Sequence, residues 1–316
     1  MAPRQPGKLP PVPQLVRMLW LPILFAVVVS FALQQSRLRS SPQPIAFPGA
    51  VDALKHGKEA DARREFEAAL KPRPDDTLAY LNVMQACVAA KANTAALEYG
   101  HRALKACANQ PPVERAAIWR AIAEVASLIP TADEKREALE AARQGHQLAP
   151  DDLVVANTYG YLLADFASGK GPDVDTAIQV LQKTLSSLKS TPGVDTDGSP
   201  EKLLYAMTED SYGWALFKNE DYPDAITVLS EAIQDYPTGT AEQEAVKTTY
   251  LHLAQSYDRS GQKARALNAL DNALVIDPGY AEAIAFKQKL YDASSPASSL
   301  PGSAPKAETT GRVKKN

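Results

Sequence analysis

Few residues in this sequence could take part in catalysis or metal binding, and those few are widely spaced. A histidine metal site would show ligand spacing, such as two histidines four residues apart on one helix face. The histidines show no such spacing, and they lie at His56, His101, His146 and His252. We therefore expect each one to be a solvated or half-buried helix residue, and we predict no metal site.

Two Asp-Asp pairs are the next candidates for acid–base chemistry. Asp75-Asp76 follows Pro74, and Asp151-Asp152 follows Pro150. A carboxylate at the start of a helix accepts hydrogen bonds from free backbone N–H groups and interacts favourably with the positive end of the helix dipole. We interpret both pairs as helix caps, because acids at separate turns of an elongated fold do not easily converge on one substrate.

Motifs of nucleotide binding and nucleophilic catalysis are also missing from the sequence. It has no Gly-rich phosphate loop, no Gly-x-Ser-x-Gly nucleophile motif and no dinucleotide fingerprint. We predict that the chain is not an enzyme, that it uses no cofactor and that it takes no small-molecule substrate. A repeat domain that regulates an enzyme, with a hidden hydrolytic activity, stays open as an alternative of another class.

The two cysteines raise the question of a disulfide. Cys87 and Cys107 fall in one predicted helical hairpin that turns near Asn93. In such a hairpin Cys87 would face about residue 98, which leaves Cys107 roughly 14 Å away at the helical rise. Bridged Cα atoms lie within about 7 Å of each other. We therefore expect two buried, free thiols.

The elements that carry these residues repeat along the chain. Two copies share small and large apolar residues at fixed offsets. One copy reads Tyr250-x-x-Leu253-Ala254-x-x-Tyr257, followed by Ala266, Leu270, Ala273 and Pro278. The other reads Tyr212-Gly213-x-x-Leu216, followed by Ala225, Leu229, Ala232 and Pro237. Two earlier copies are shorter, and they comprise Ala62, Phe66, Ala69 and Pro74, and Tyr80, Val83, Ala96 and Ala103. The distance from Ala62 to Ala96 is 34 residues. This pattern resembles the tetratricopeptide repeat, which has a period of about 34 residues.

The resemblance implies an all-α solenoid of helical hairpins. Small residues let two helices approach closely, proline ends the second helix, and stacking buries the apolar face that one hairpin leaves open. We predict a tetratricopeptide-repeat-like (TPR-like) helical-hairpin solenoid over residues 49–293, with about six helix pairs and a C-terminal capping helix at 280–292. The pairs are predicted at 49–72, 76–107, 112–148, 152–189, 200–236 and 240–276.

A single transmembrane helix is predicted to precede the solenoid. Residues 18–36 contain no charged side chain, and 19 helical residues span roughly 28 Å, close to the thickness of a bilayer core. We predict a basic segment at 1–17, a signal anchor at 18–36 and a linker at 37–48. A cleaved signal peptide, with a site near Ser30-Phe31-Ala32, and a buried helix are the alternatives.

Charge indicates how the anchor is oriented and which partners are disfavoured. The formal net charge of −3 combines +5 in residues 1–40 and +3 in residues 294–316, so the part between them carries −11. The basic leading end favours a cytoplasmic N-terminus and an extracytoplasmic repeat domain, periplasmic in a bacterium. The acidic body disfavours nucleic acid. The tail at 294–316 lacks apolar periodicity and is predicted to be disordered.

These features together predict a membrane-anchored interaction scaffold. Tetratricopeptide arrays imply a concave groove for a protein or peptide, lined by the first helix of each pair. Within the same class, an assembly factor or chaperone for envelope or membrane complexes is the alternative. A soluble secreted repeat protein, after signal cleavage, is an alternative of another class. It also stays open that residues 1–40 are the functional part and that the repeats are a spacer.

A sequence element that occurs twice suggests where the partner would bind. Asn157-Thr158-Tyr159-Gly160-Tyr161 and Asp210-Ser211-Tyr212-Gly213-Trp214 share a polar, hydroxyl, Tyr, Gly, aromatic order. The repeat register turns one set of residues towards the groove, namely Asn157, Tyr161, Asp210, Trp214 and Phe217. Large aromatics beside polar groups are typical of interface hot spots. The same residues could instead fill contacts between neighbouring first helices.

Overall fold

The computed structural model describes residues 47–237 and 243–292, which form thirteen α-helices and no strand. In chain order the helices are α1 (Pro48–Lys55), α2 (Glu59–Leu70), α3 (Thr77–Ala89), α4 (Asn93–Ala106), α5 (Pro112–Ser127), α6 (Ala132–Leu148), α7 (Leu153–Phe166), α8 (Pro172–Leu188), α9 (Pro200–Lys218), α10 (Tyr222–Asp235), α11 (Gln243–Arg259), α12 (Lys263–Ile276) and α13 (Ala281–Asp292). The predicted all-α fold with six helix pairs and a terminal helix is therefore confirmed.

The helices pack as consecutive pairs, and the pairs stack on one another. The odd-numbered helices α1 to α11 are the first helices, and each packs against the second helix that follows it. Each first helix also contacts the first helix of the next pair, from α1 against α3 to α9 against α11. This contact along the first helices makes them one continuous wall of the solenoid.

Several predicted segments lie outside the described residues. These are the basic segment 1–17, the signal anchor 18–36, nearly all of the linker 37–48 and the tail 294–316. Within the ranges 47–237 and 243–292, no helix combines the length and the apolar character that a membrane span requires.

The Asp-Asp pairs cap helices, as predicted. Asp76 accepts hydrogen bonds from the backbone N–H groups of Leu78 and Ala79 at the start of α3, at 2.9 and 3.2 Å. Asp152 does the same for the first turn of α7. These carboxylates satisfy N–H groups that have no partner within the helix, and they lie at separate turns of the solenoid.

Small residues allow the two helices of a pair to touch. A Cβ at Gly160 of α7 would lie 2.5 Å from Cγ of Leu181 in α8, and a Cβ at Gly213 of α9 would lie 2.6 Å from Cγ of Leu229 in α10. Any larger residue at these positions would push the second helix away. The Gly of the repeated element is therefore required by packing within the pair.

Both cysteines are buried and free, as predicted. Burial raises the pKa of the Cys87 thiol to about 12 and also raises the pKa of Cys107. The Cys107 thiol donates to the backbone oxygen of Asp75 at 3.4 Å. Both side chains therefore stay protonated at neutral pH and act as small core residues.

Glu209 of α9 is a buried acid at a position that faces the second helix of its pair. Only 5 % of its surface is exposed. Burial, and then the nearby charge of Asp235 in α10, raise the pKa of Glu209 to about 8, and the hydrogen bond from Tyr205 opposes this rise only in part. Glu209 is therefore largely protonated at neutral pH, and its carboxyl can share a hydrogen bond with Asp235.

This raised pKa predicts a pH-dependent stability. The unfolded chain releases the Glu209 proton near pH 4.5 and the folded chain near pH 8. The stabilisation is therefore complete below pH 4.5 and declines as the pH rises to 8, by at most about 1.4 kcal/mol per pH unit. We expect Glu209→Gln, which does not titrate, to melt close to wild type at pH 5 and several degrees higher at pH 8.5. Thermal unfolding followed by circular dichroism measures this difference.

An exposed glutamate provides the matched control. Glu140 of α6 is about half exposed and forms a surface ion pair with Arg143, which contributes little to stability. Glu140→Gln should shift the melting temperature by a similar small amount at both pH values. If the two variants respond to pH alike, the raised pKa of Glu209 is wrong.

Candidate partner-binding wall on the first helices

The predicted partner-binding residues lie on two neighbouring first helices. α7 carries Asn157 and Tyr161, and α9 carries Asp210, Trp214 and Phe217. Spacings of three and four residues place side chains on the same side of a helix. We call these five residues the α7–α9 wall. Its aromatic members come together, since Tyr161 and Phe217 both pack against the apolar cluster that contains Trp214.

Trp214 is the centre of an aromatic stack. Its ring lies 4.8 Å from the ring of Phe217, at an interplanar angle of 8°, and 4.3 Å from the ring of His252 in α11, at 17°. Only 8 % of Trp214 is exposed. Phe217 is half-buried and closes one side of the stack. Trp214 therefore contributes to the contact between first helices, and Phe217 is the more accessible of the two.

Asp210 is also engaged with the neighbouring first helix. Its Oδ1 lies 2.9 Å from Nδ1 of His252, and both residues are buried. The face of the His252 ring therefore stacks on Trp214, and Nδ1 at the edge of the ring hydrogen-bonds with Asp210. The structure assigns Asp210 and Trp214 to the α9–α11 contact, one of the two roles that the sequence left open for them.

Thr158, the residue after Asn157, makes a second polar contact between first helices. Arg120 Nη1 of α5 pairs with Oε1 of Glu124 at 2.6 Å, and Oγ1 of Thr158 in α7 donates to the same Oε1 at 3.2 Å. Both charged side chains are almost fully buried. Asn157 is adjacent to Thr158 and is itself buried. This cluster ties α5 to α7 by hydrogen bonds as well as by apolar packing.

Tyr161 lies close to the far end of the solenoid. Burial raises the pKa of the Tyr280 hydroxyl, and the nearby acidic groups of Glu282, Tyr161 and Asp210 add to this rise. Tyr280 immediately precedes α13, so the start of the terminal helix approaches the α7–α9 wall. Tyr161 itself remains half-buried, which makes it the second accessible aromatic of the wall.

A lysine at the end of α9 links it back to α7. Nζ of Lys218 donates to the backbone oxygens of Asp165 and Ala167 at 3.0 and 2.9 Å. It also lies 5.2 Å from the centre of the Trp214 ring, a distance at which a cation is attracted to an indole face. The α9 helix is therefore held by α7 on one side and by α11 on the other.

The sequence prediction for one histidine was wrong. His252 was expected to be solvated or half-buried, but it is 6 % exposed and forms the centre of the α9–α11 contact. The signal lay in the repeat register, because Thr158, Ser211 and His252 occupy the same polar position of successive first helices. Thr158 makes the corresponding contact with the preceding first helix two pairs earlier. His56 and His101 are exposed and His146 is half-buried, as predicted.

The described residues show no arrangement for metal-dependent chemistry. No group of three or more His, Cys, Asp or Glu side chains in ranges 47–237 and 243–292 could hold a metal ion. A cavity of about 400 Å³ opens on the α11–α12 pair rather than on the α7–α9 wall. Its lining includes Tyr250, Tyr257, Arg265, Asn268 and Asn272.

Comparisons with solved structures found several that are similar to this chain. One is YrrB, a TPR protein with an unusual peptide-binding site, which is 14 % identical to this chain; the match covers 71 % of this chain and 97 % of YrrB, with a TM-score of 0.42. BtubC from P. vanneervenii is 12 % identical over 84 % of this chain and 95 % of its own, with a TM-score of 0.48. A tetratricopeptide repeat protein from Parabacteroides merdae is 15 % identical over 77 % and 96 %, with a TM-score of 0.40. No curated protein sequence matches the chain.

Family models match two separate parts of the array. Both models describe a tetratricopeptide repeat, and they match residues 48–111 and 211–239. The first match covers α1 to α4 and the second covers most of the α9–α10 pair. The family models therefore identify tetratricopeptide repeats in these two parts of the chain, and the other helical pairs pack in the same way.

Proposed function

We propose that this protein is a membrane-anchored scaffold that binds a partner protein or peptide along its first helices. Tetratricopeptide proteins generally mediate protein–protein interaction, and this general role is where the proposal starts. The observation that carries it is the α7–α9 wall, where two half-buried aromatics, Tyr161 and Phe217, pack against the apolar cluster that contains the buried Trp214. A partner could contact these two rings without unfolding the wall.

The rigidity of the wall supports this role. Hot-spot residues are aromatic side chains that neighbouring contacts hold in place before the partner arrives. Phe217 is held by its stack on Trp214 and by a tilted contact with Tyr222, at 5.7 Å between ring centres. Lys218 and His252 fix α9 from both sides. Little conformational entropy would therefore be lost when a partner binds.

Membrane anchoring is the second part of the proposal. Residues 18–36 form an uncharged stretch of bilayer length, and more basic side chains precede it than follow it closely. This distribution favours a cytoplasmic N-terminus and a repeat domain on the other side of the membrane. The scaffold would then hold its partner close to the membrane surface, and the assembly of envelope or membrane complexes is a role of that kind.

Substitutions in the wall separate partner binding from stability. We expect Phe217→Ala and Tyr161→Ala each to weaken partner binding at least about thirtyfold, the loss of a hot spot, with a small fall in melting temperature. Trp214→Ala should destabilise the fold by about 3–5 kcal/mol, because its ring fills a contact between helices. Quantitative mass spectrometry of proteins that co-purify from native membranes, and thermal unfolding, measure the two effects.

The control for this test is Val113→Ala at the start of α5, because this apolar side chain is 50 % exposed and is not one of the five residues of the α7–α9 wall. The Val113→Ala protein should recover the partner at the wild-type level and unfold at the wild-type melting temperature. If Phe217→Ala and Tyr161→Ala recover the same proteins at wild-type levels, the partner does not bind at the α7–α9 wall.

Membrane extraction tests the anchor. The full chain should stay in the membrane fraction after alkaline carbonate washing, at its full mass of 34.0 kDa. Two charges in the apolar run, Leu24→Arg with Val27→Arg, should release it, because each arginine at the bilayer centre costs about 2.5–3.5 kcal/mol on insertion scales. A wild-type chain that is found in the soluble fraction at a shorter mass would show cleavage instead of anchoring.

A further inference from the structure

The open cavity on the α11–α12 pair has two walls of different chemistry. Its volume is about 400 Å³, which is within the range of natural ligand pockets. The wall on α11 is aromatic and apolar, and it consists of Tyr250, Leu253 and Tyr257. The wall on α12 is mainly polar, and it consists of Ala264, Arg265, Asn268, Ala269 and Asn272. We call these residues together the α11–α12 groove.

A small residue of α12 leaves room for this cavity. Ala269 lies three residues after the repeat alanine Ala266, and Tyr99 of α4 lies three residues after the equivalent Ala96. Tyr99 is 2 % exposed and packs edge-on against Phe66 of the preceding pair, at 5.4 Å between ring centres. Because an alanine ends at Cβ, the space that a tyrosine fills in the second pair stays open in the sixth.

The polar side chains of α12 also lack the partners that earlier second helices have. Glu98 of α4 pairs with Arg63 of α2 at 2.9 Å, and His101 of α4 contacts Glu137 of α6 at 2.8 Å. Asn268 occupies the register position of Glu98, two residues after the repeat alanine. No hydrogen bond or ion pair joins α10 to α12, and the structure describes both of these helices in full. The polar wall of the groove is therefore available to a ligand.

Arg265 gives one end of the groove a positive charge. Its guanidinium lies 5.8 Å from the centre of the Tyr257 ring, and its Nη1 donates to Oε1 of Gln262 at 2.7 Å. It is the one charged residue of the groove, and no carboxylate in ranges 47–237 and 243–292 forms an ion pair with it. A guanidinium has several N–H donors in a planar fork, so a carboxylate of a ligand could pair with Arg265.

Asn268 and Asn272 give the rest of the groove hydrogen-bonding groups. They lie one turn apart, about 6 Å along the helix axis. Nδ2 of Asn272 lies 3.5 Å from Oδ1 of Asn268, a long and weak bond that a ligand can replace. Alternate residues of an extended peptide lie about 6.6 Å apart. Since each carboxamide carries both donors and an acceptor, the two can pair with backbone amides that are two residues apart in an extended chain.

We propose that the α11–α12 groove binds an extended peptide segment of about three residues with a carboxylate at the end beside Arg265. The seven residues from Arg265 to Asn272 rise about 10.5 Å along α12, and about three extended residues span that length. Backbone amides of the peptide pair with Asn268 and Asn272, and its apolar side chains pack on the α11 wall. The carboxylate belongs to an Asp or Glu side chain or to a chain terminus.

The groove suits an acidic peptide better than a sugar. A sugar ring can stack on a tyrosine, but its many hydroxyl groups need acceptors, and the groove contains no carboxylate. A neutral sugar would also leave Arg265 without a counter-charge. The apolar floor formed by Leu253 and Ala269 is suited to a hydrocarbon side chain.

Affinity selection with the full chain in detergent micelles tests this proposal. The probes are two pools of random seven-residue peptides, one with free C-terminal carboxylates and one with C-terminal amides, and mass spectrometry identifies the retained peptides. We expect wild type to retain Asp- or Glu-rich peptides from both pools if a side chain supplies the carboxylate, and peptides from the free-acid pool alone if the terminus does. Arg265→Glu, at an exposed position, should retain at least about tenfold less, the loss of a hydrogen bond to a charged group.

Three further variants complete the test. Ala269→Tyr introduces the residue that α4 has at this register position, and its ring should occupy the cavity and lower retention to a similar extent. Arg136→Glu is the matched control, because Arg136 is also exposed and pairs with a residue three positions earlier, Asp133. It should retain the wild-type peptides. Phe217→Ala changes the α7–α9 wall and should retain them too, so a failure of that wall and a failure of the groove are distinguishable.

Four outcomes would overturn the proposal. One is that wild type retains neither acidic nor free-acid peptides above the empty resin. Another is equal retention by wild type, Arg265→Glu and Ala269→Tyr. The third is a loss of retention in Phe217→Ala alone, which would place the peptide on the α7–α9 wall. The fourth is calorimetric binding of chitotetraose without retention of any peptide, which would assign the groove to a sugar.

Discussion

The close approach of paired helices at glycine is the constraint on which the rest of this structure depends. At Gly160 and Gly213, a Cβ would come within 2.5 and 2.6 Å of a leucine Cγ on the second helix. Hard-core repulsion at such distances cannot be relieved by a small shift, because the leucines are fully buried. A side chain at either position would therefore push apart the two helices of the α7–α8 or the α9–α10 pair.

The same constraint determines what the neighbouring residues do. Successive residues of a helix lie about 100° apart around its axis. When a glycine faces the second helix of the pair, the residue after it therefore points towards the neighbouring first helix. Tyr161 and Trp214 each follow such a glycine. The stack of Trp214 on His252, and the bond between His252 and Asp210, thus depend on how closely α9 approaches α10. The repeated element that contains Gly160 or Gly213 therefore determines both the packing within a pair and the shape of the α7–α9 wall.

The sequence predicted the features that arise within one repeat. The spacing of apolar residues predicts the helix pairs, and an acidic residue shortly after a proline predicts a cap such as Asp76. The distances within one hairpin predict that Cys87 and Cys107 are free thiols. These features require only helical geometry. The placement of Asn157, Tyr161, Asp210, Trp214 and Phe217 on two adjacent first helices also followed from the repeat register. Which of them are accessible did not, since exposure depends on how tightly successive pairs stack.

Features that join different repeats were not predicted. The burial of His252 and the position of Tyr280 near Tyr161 depend on small rotations between pairs, which accumulate along a solenoid. The burial of Glu209 was not predicted either, although it arises within one pair, because an acid at a position that is apolar in other pairs looks like a surface residue. Its burial against Asp235 and its raised pKa appear only when α9 and α10 are placed together. The predicted anchor at 18–36 lies outside the described residues, so it remains a prediction.

One pair of substitutions tests the central constraint directly. Gly213→Ala and Gly145→Ala add the same methyl group to helix interiors, but a Cβ at Gly145 meets its nearest neighbours at 3.4 Å, which is ordinary contact. The measurement is the free energy of unfolding of both variants and wild type by urea titration. The account predicts that Gly213→Ala loses about 1–3 kcal/mol through overpacking, and that Gly145→Ala is neutral or gains up to about 1 kcal/mol in helix propensity. A Gly213→Ala protein that is as stable as Gly145→Ala would contradict it.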